Sequence, residues 1–100
     1  MKVFIQPSNR KHKKLMAIFT DDDKTEIIDV IHFGDTRYED YTIHHDEERK
    51  NRYIQRHQKN NNQNWDLPKT AGALSRWILW GPYKDVKKNI KYFKNKFDLN

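Results

Sequence analysis

Apolar residues in the first third of the chain occur in short runs that predict β-strands. The runs are Lys2 to Gln6, Lys14 to Thr20 and Glu26 to Phe33, and the third is rich in β-branched residues, as strands are. The run Asp21-Asp22-Asp23-Lys24 is typical of a hairpin loop, because Asp favours turns by bonding its own backbone. The sequence therefore predicts an antiparallel hairpin or a three-stranded meander.

The middle of the chain predicts an irregular stretch followed by a helix. Residues 36–45 fit a loop or a short helical turn. Asp46 suits the N-cap position, and Glu47 and Glu48 suit the positive end of the helix dipole. The helix is therefore predicted over residues 46–59.

Residues 71–80 form a predicted helix that is apolar almost all round. Thr70 suits its N-cap, and Gly81-Pro82 end it. Such a helix is either buried between layers or applied to a partner. We predict a core element, while a partner interface or a position at a membrane surface stays open. The residues expected to consolidate the helical half are Trp65, Trp77, Trp80 and Tyr53.

The last segment, Tyr83 to Phe97, has a clean helical period. One stripe of this helix carries four apolar residues, Val86, Ile90, Phe93 and Phe97. With the earlier elements this predicts an α+β fold in a single domain over residues 1–100. A small antiparallel sheet of two to three strands, within residues 1–35, would pack against two or three helices from residues 36–100.

The composition limits the size of the core. Only 35% of the 100 residues are hydrophobic and the mean hydropathy is −1.17, so the core must rely on large aromatic side chains. The absence of cysteine excludes a disulfide framework and thiolate metal sites. No apolar run approaches the ~20 residues of a membrane span, and no signal-peptide pattern is present. We therefore expect a soluble, intracellular protein without a transmembrane segment.

Positive charge is concentrated in the second half of the chain. Residues 1–50 carry 9 Lys/Arg and 11 Asp/Glu, whereas residues 51–100 carry 11 Lys/Arg and 3 Asp, and the total net charge is +6. This asymmetry suggests an acidic partner, which would be nucleic acid, anionic lipid or an acidic protein. A solvated, solubilising face is the alternative.

The predicted helix over residues 46–59 carries an arginine face. Arg49, Arg52, Tyr53 and Arg56 are spaced at i, i+3, i+4 and i+7, with Lys50 adjacent. Guanidinium groups bind phosphate bidentately, which favours contact with nucleic acid or phosphate. In the alternative, Tyr53 faces inward and the arginines pair with nearby acids.

Two further basic clusters add to this pattern. The helix over residues 83–97 carries lysines away from its apolar stripe, and the run Arg10 to Lys14 is a short basic cluster between two strands. The basic faces of residues 49–59 and 84–94 are expected to form one DNA-binding surface. The predicted nucleic-acid contacts are Lys13, Arg49, Lys50, Arg52, Arg56, Lys59, Lys84, Lys87, Lys88 and Lys91.

The sequence offers little support for catalysis or metal binding. His44 and His45 are adjacent, so they do not share one helix face as an i, i+4 chelating pair would. No Gly-rich phosphate loop, nucleophile elbow or pair of carboxylates in an apolar setting is present. We therefore expect no enzyme activity, no metal and no cofactor.

One long, irregular motif extends from the second quarter of the chain through the predicted helix over residues 71–80. Its letters here, with x for any residue, are HFG, DYTxHxD, RKxRY, RH, NW, P, TAG, S, W and LW, running from His32 to Trp80. This motif resembles that of a family of small basic proteins encoded by large nucleocytoplasmic DNA viruses of algae and amoebae. This chain differs from that family at Glu47, where members often carry Pro, and in its longer hairpin.

The resemblance implies a virion protein without assigned enzymatic activity that binds and compacts the genome. Together with the basic faces, it predicts sequence-independent binding of double-stranded DNA. The alternative is a minor capsid or inner-virion protein that docks onto acidic protein or membrane surfaces. The expected location is the virion, with the host cytoplasm or nucleus during infection, and self-association stays open.

Overall fold

In the described residues the chain forms a three-stranded antiparallel sheet followed by helices. The computed structural model describes residues 1–58 and 65–100. The strands are β1 (Lys2–Pro7), β2 (Lys13–Thr20) and β3 (Ile27–Asp35), in the spatial order β1-β2-β3. The helices are α1 (Tyr41–His44), α2 (Glu47–Gln58), α3 (Ala71–Leu74), which continues as a π-helical segment (Ser75–Leu79), and α4 (Val86–Lys96). The predicted α+β fold with an N-terminal sheet is confirmed.

Alternation along the strands places one face of the sheet against the helices. Val3 pairs with Phe19 across β1 and β2, and both side chains are fully buried. The next residues along the strands, Phe4, Ile18 and Val30, are cross-strand neighbours on the opposite face. Val30 is 42% exposed, so this outer face is only partly covered.

The turn between β2 and β3 is held by its first aspartate. The Asp21 carboxylate accepts hydrogen bonds from the backbone N–H of Thr25 at 2.8 Å and from its hydroxyl at 2.7 Å. Lys24 adopts a left-handed conformation with φ of 60°, and its N–H donates to the carbonyl of Asp21. The predicted hairpin loop is therefore present, and β3 begins at Ile27.

Aspartate side chains cap both helices of the middle segment. Asp40 accepts from the N–H of Thr42 at 2.9 Å at the start of α1, so residues 36–45 contain the short helical turn that the sequence left open. Asp46 accepts from the N–H groups of Glu48 and Arg49 at 3.0 and 3.2 Å. Asp46 is thus the N-cap that the sequence predicts for α2.

The helix predicted over residues 71–80 is present, but its second half is π-helical. Thr70 caps it through a 3.1 Å bond from the N–H of Ala73. Further on, the Trp80 N–H donates to the carbonyl of Ser75, five residues back, at 3.0 Å. The Arg76 guanidinium donates a hydrogen bond to the carbonyl of Trp80 at 2.7 Å. Hydrophobic periodicity predicts only that a helix exists, so this wider turn was not visible in the sequence.

The last helix begins three residues later than the sequence predicts, because a buried amide holds the preceding loop. The Asn89 side chain accepts from the N–H of Tyr83 at 2.9 Å and donates to the carbonyls of Tyr83 and Ile78 at 2.8 Å. The backbone of Tyr83 is therefore engaged outside the helix. Asp85 then caps α4 by accepting from the N–H of Lys87 at 3.0 Å.

The sheet and the helices share one hydrophobic core. Its fully buried members are Val3, Ala17, Phe19, Phe33, Leu74, Ile78 and Phe93. Trp77 and Trp80 are partly buried and pack against this cluster. Trp65 is half-buried outside it, and its carbonyl accepts from the Trp77 indole N–H at 2.9 Å. The tryptophans therefore border the core, whereas the sequence placed them in it.

Candidate functional site

A cleft of about 800 Å³ lies where α2, the adjoining ends of β2 and β3, and the start of α3 meet. Basic side chains come from two distant parts of the sequence: Lys13 from β2, and Arg49, Arg52 and Arg56 from α2. Its volume is within the range of small-ligand sites, about 300–1,000 Å³.

An aromatic stack anchors α2 beside the cleft. The Tyr53 ring lies parallel to the Trp80 indole, at an interplanar angle of 2° and a centroid distance of 4.2 Å. His57 covers the other face of Tyr53 at 4.2 Å. Tyr53 is only 7% exposed, and burial raises its pKa to about 12. Tyr53 therefore faces inward, and the arginines on its side of α2 line the cleft.

The carboxylates that line the cleft already have cationic partners. Asp40 pairs with Lys14 at 2.6 Å, and Glu39 lies 3.5 Å from Arg49. Asp35 accepts two hydrogen bonds from the guanidinium of Arg37, which lowers its pKa well below the usual range. The negative charge at the rim is thus largely compensated.

Three of the basic side chains in the cleft have no carboxylate partner within residues 1–58 and 65–100. They are Lys13, Arg52 and Arg56, and all three are exposed. An exposed arginine that is not engaged with a carboxylate keeps its full set of donors for a ligand. The cleft is therefore suited to bind an oxyanion that accepts two hydrogen bonds from one guanidinium, such as phosphate.

The other predicted contact residues lie elsewhere. The ammonium group of Lys50 sits 4.3 Å from the centre of the Tyr41 ring, outside the cleft, and burial lowers its pKa. Lys59 lies outside the described residues. Lys84 and Lys87 are exposed near the start of α4. Lys50 thus lies beside the arginine face and not on it, since residues one apart on a helix do not share a face, and its contact with nucleic acid stays a prediction.

The lysines of α4 belong to a second, smaller groove. Lys88 and Lys91 line it together with Tyr83, Tyr92 and Asn95, and its volume is about 370 Å³. The linings of the two concave sites have no residue in common. The lysines of α4 and the arginines of α2 thus line different concave sites, and their joint contact with DNA stays a prediction.

Residues 3–57 match the model of a family of unknown function, DUF5754. The matched part is more than half of the chain. The chain belongs to this family. The match covers all three strands, α1 and most of α2, and so includes the arginines of the cleft. It ends before the segment that carries Trp80. No curated protein and no solved structure matches the chain.

Several residues of the site in this DUF5754 protein were missed from the sequence. Asp40 and Lys14 form a nearly buried ion pair, and Tyr38 lines the cleft with 70% of its surface exposed. Asn89 holds the loop that contains Trp80. A signal existed for Asn89, because it falls on the apolar stripe, three residues after Val86. No local pattern links Lys14 to Asp40.

His44 lies at the junction of α1 and α2 in a hydrogen-bonded, aromatic environment. Its Nδ1 accepts from the N–H of Asp46 at 2.9 Å, and its ring is 5.3 Å from the Trp80 ring. The Nε2 atom is buried without a hydrogen-bond partner. In the described part of the chain, no group of three or more His, Asp or Glu side chains is arranged to hold a metal ion. Among the same residues, no helix has the length and apolarity needed to cross a membrane.

Lowering the pH from about 7 to about 5 is expected to destabilise the DUF5754 fold. Burial lowers the pKa of His44, with a further contribution from Arg49, and burial and Arg56 lower that of His57. Below about pH 6.5 the unfolded chain therefore binds more protons than the folded chain, so the free energy of unfolding falls. Urea unfolding at the two pH values measures the effect.

The variant His44→Asn isolates the contribution of His44. Its amide oxygen keeps an acceptor near the position of Nδ1 but does not titrate. We expect a smaller pH dependence in this variant than in the wild type. An unchanged pH dependence would show that His44 is not one of the groups responsible.

Proposed function

We propose that the protein binds double-stranded DNA without sequence preference, through the phosphate backbone. The observation that carries the proposal is the meeting of Lys13, Arg52 and Arg56 in one cleft without carboxylate partners in the described residues. Basic side chains that contact phosphates supply most of the affinity of non-specific DNA binding. Specific base reading is not part of the proposal, because the chain has no groove-reading motif.

The rigidity of the arginine face supports this proposal. Arg52 and Arg56 lie one helical turn apart on α2, which Tyr53 fastens to Trp80. A fixed helix loses little conformational freedom when it binds, so more of the interaction energy appears as affinity. The backbone positions of Arg52 and Arg56 are thus fixed before two neighbouring phosphates bind.

The division of positive charge into two grooves supports a role in DNA compaction. The groove on α4 exposes Lys88 and Lys91 and shares no lining residue with the arginine cleft. A protein with two separate cationic surfaces can contact two DNA segments at once, and each contact strengthens the other through effective concentration. Compaction requires such bridging.

A place in the virion is the part of the proposal that rests on the motif resemblance alone. The resemblance implies that the basic faces bind the genome inside a viral particle. Its residues in this chain include Arg49, Arg52 and Arg56, which are the cleft arginines. The proposed location is therefore the virion, with the host cytoplasm or nucleus during infection.

A second candidate function is docking within the capsid or inner virion layer. The observation that favours it is the exposed apolar surface of β3, where Ile27 is 66% and Ile28 is 47% exposed. Exposed apolar residues on an edge strand are a common site of protein association. Under this alternative the protein docks onto an acidic protein or a membrane surface and ignores free DNA.

Salt-dependent binding to duplexes of unrelated sequence tests the proposal. We expect similar affinities for all duplexes, and a plot of log affinity against log salt with a slope of about −2.7 to −4.5, corresponding to three to five phosphate contacts. Fluorescence anisotropy with labelled duplexes measures both. Absence of binding at about 50 mM salt and micromolar protein would contradict DNA binding and favour the docking function.

A further inference from the structure

Tyr38 is an aromatic side chain at the cleft whose ring is available to a ligand. It is 70% exposed and lines the same cleft as the arginines. The other aromatic rings there are engaged: Phe33 is fully buried, and Tyr53 and Trp80 stack on each other. Within residues 1–58 and 65–100, the Tyr38 ring makes no stacking or cation–π contact. Tyr38 therefore offers a free ring face beside a cationic groove.

A hydrogen-bonded turn fixes the backbone at Tyr38. The Tyr38 N–H donates to the carbonyl of Asp35 at 3.1 Å, and the Asp35 carboxylate accepts from the N–H of Arg37 at 2.9 Å. Two residues later, Asp40 is pinned by its ion pair with Lys14 and its cap of α1. The ring is thus held on an ordered turn, which reduces the entropy lost when a ligand stacks on it.

We propose that the cleft also takes single-stranded nucleic acid, with Tyr38 stacking on an unpaired base while Arg52 and Arg56 hold the flanking phosphates. The inference rests on the proposed nucleic-acid function and extends it to a second form of the ligand. Proteins that bind single strands combine a cationic groove with an exposed aromatic ring, and the stacking tolerates any base. A duplex keeps its bases stacked inside the helix, so Tyr38 contributes only to single-strand binding.

The test compares three ligands of equal length, each about 12 nucleotides, close to the site sizes of single-strand binders. They are oligothymidylate, the same backbone with abasic sites in place of every base, and a duplex. The abasic strand keeps the phosphates but offers no base for stacking. For the wild type we expect oligothymidylate to bind more tightly than the abasic strand. Equal binding of these two ligands would overturn the inference without requiring any variant.

The variant Tyr38→Ala tests whether Tyr38 is the ring on which the base stacks. We expect it to weaken oligothymidylate binding roughly 5- to 150-fold, the usual effect of removing one stacking aromatic. Binding of the abasic strand and of the duplex should stay unchanged. The matched control is Tyr38→Phe, which keeps the ring for stacking and removes only the hydroxyl, and it should bind oligothymidylate as tightly as the wild type does. Unchanged oligothymidylate binding by Tyr38→Ala would refute the role of Tyr38.

The outcomes separate this inference from the proposed function. If the wild type binds the duplex and Tyr38→Ala has no effect on oligothymidylate, only the stacking inference fails. If the wild type binds no duplex, the proposed function fails, whatever happens with single strands. Oligouridylate compared with oligodeoxyuridylate distinguishes the two natural sources of a single strand, since the two carry the same base and differ only in the 2′-hydroxyl of RNA.

Discussion

Asn89→Ala is expected to lower the free energy of unfolding by about 3–5 kcal/mol. The Asn89 side chain is fully buried and makes three hydrogen bonds to the backbone of Ile78 and Tyr83. Its removal leaves these backbone groups without partners, and each buried unsatisfied group costs about 1–3 kcal/mol. The effect is large because one amide serves three groups at the same time.

The loss of the Asn89 hydrogen bonds is expected to affect the cleft lined by the α2 arginines, because Asn89 holds the loop that carries Trp80. Gly81 lies directly against the Asn89 side chain, and a Cβ there would come within 2.1 Å of the Trp77 carbonyl, so the loop packs closely on Asn89 and on the preceding helical segment. Trp80 in turn fixes Tyr53 and α2. In Asn89→Ala we therefore expect the stack of Trp80 on Tyr53 to loosen as well.

Urea unfolding followed by circular dichroism measures the change in stability. The matched control is Asn95→Ala on the same helix, where the side chain is exposed and the expected loss is within about 0.5 kcal/mol. Equal stabilities of Asn89→Ala and Asn95→Ala would show that the amide bonds of Asn89 do not hold the loop.

Asp40→Ala is expected to destabilise the protein by a similar amount, about 3–5 kcal/mol. The Asp40 side chain is 3% exposed and that of Lys14 is 16% exposed. Removing the carboxylate leaves the Lys14 ammonium largely buried and unpaired, which costs more than the lost attraction alone. It also removes the cap of α1, since Asp40 accepts hydrogen bonds from the N–H and the hydroxyl of Thr42.

Two further variants separate the charge of Asp40 from its cap. Asp40→Asn keeps an oxygen acceptor for the N–H of Thr42 but removes the charge, so we expect a smaller loss than in Asp40→Ala. Asp23→Ala removes one negative charge from an exposed turn and should change stability by less than about 0.5 kcal/mol. Chemical denaturation of all three variants gives the comparison. The account of the ion pair fails if Asp40→Ala is as stable as Asp23→Ala.

Most of the secondary structure could be predicted from the sequence, because the patterns that predict it involve residues close together in the chain. The strands are predicted by continuous apolar runs. The side chains of Asp21, Asp46 and Thr70 each accept a hydrogen bond from a backbone N–H two to four residues later in the chain. The apolar stripe from Val86 to Phe97 likewise needs no knowledge of distant residues. Such short-range patterns fix the type of each element and hence the α+β class.

The departures from the predicted elements coincide with hydrogen bonds from side chains to the backbone. The helix over 71–80 changes to a π-helix where Arg76 reaches the Trp80 carbonyl. Helix α4 starts late because Asn89 engages Tyr83. Neither contact leaves a trace in hydrophobic periodicity, which reports which face is buried and not which carbonyl a side chain reaches.

The candidate site likewise depends partly on spacing within one helix and partly on contacts between residues far apart in the sequence. The shared face of Arg49, Arg52 and Arg56 follows from helical spacing, and the same spacing separates Lys50 from them. The arrival of Lys13 beside these arginines depends on how the sheet packs near α2. The division of the basic residues into two grooves is likewise a property of the packed structure.

The comparison of two charge-matched double variants tests most directly whether the arginine cleft binds DNA. Arg52→Gln/Arg56→Gln and Lys87→Gln/Lys91→Gln each remove two exposed positive charges spaced i, i+4 on a helix, the first at the cleft and the second on α4. Duplex affinity is measured for both across a series of salt concentrations. We expect the cleft variant to bind roughly 10- to 100-fold more weakly, with a salt slope shallower by about 2, and the α4 variant to lose less of both. Equal losses in the two variants, or none in the cleft variant, would contradict the account.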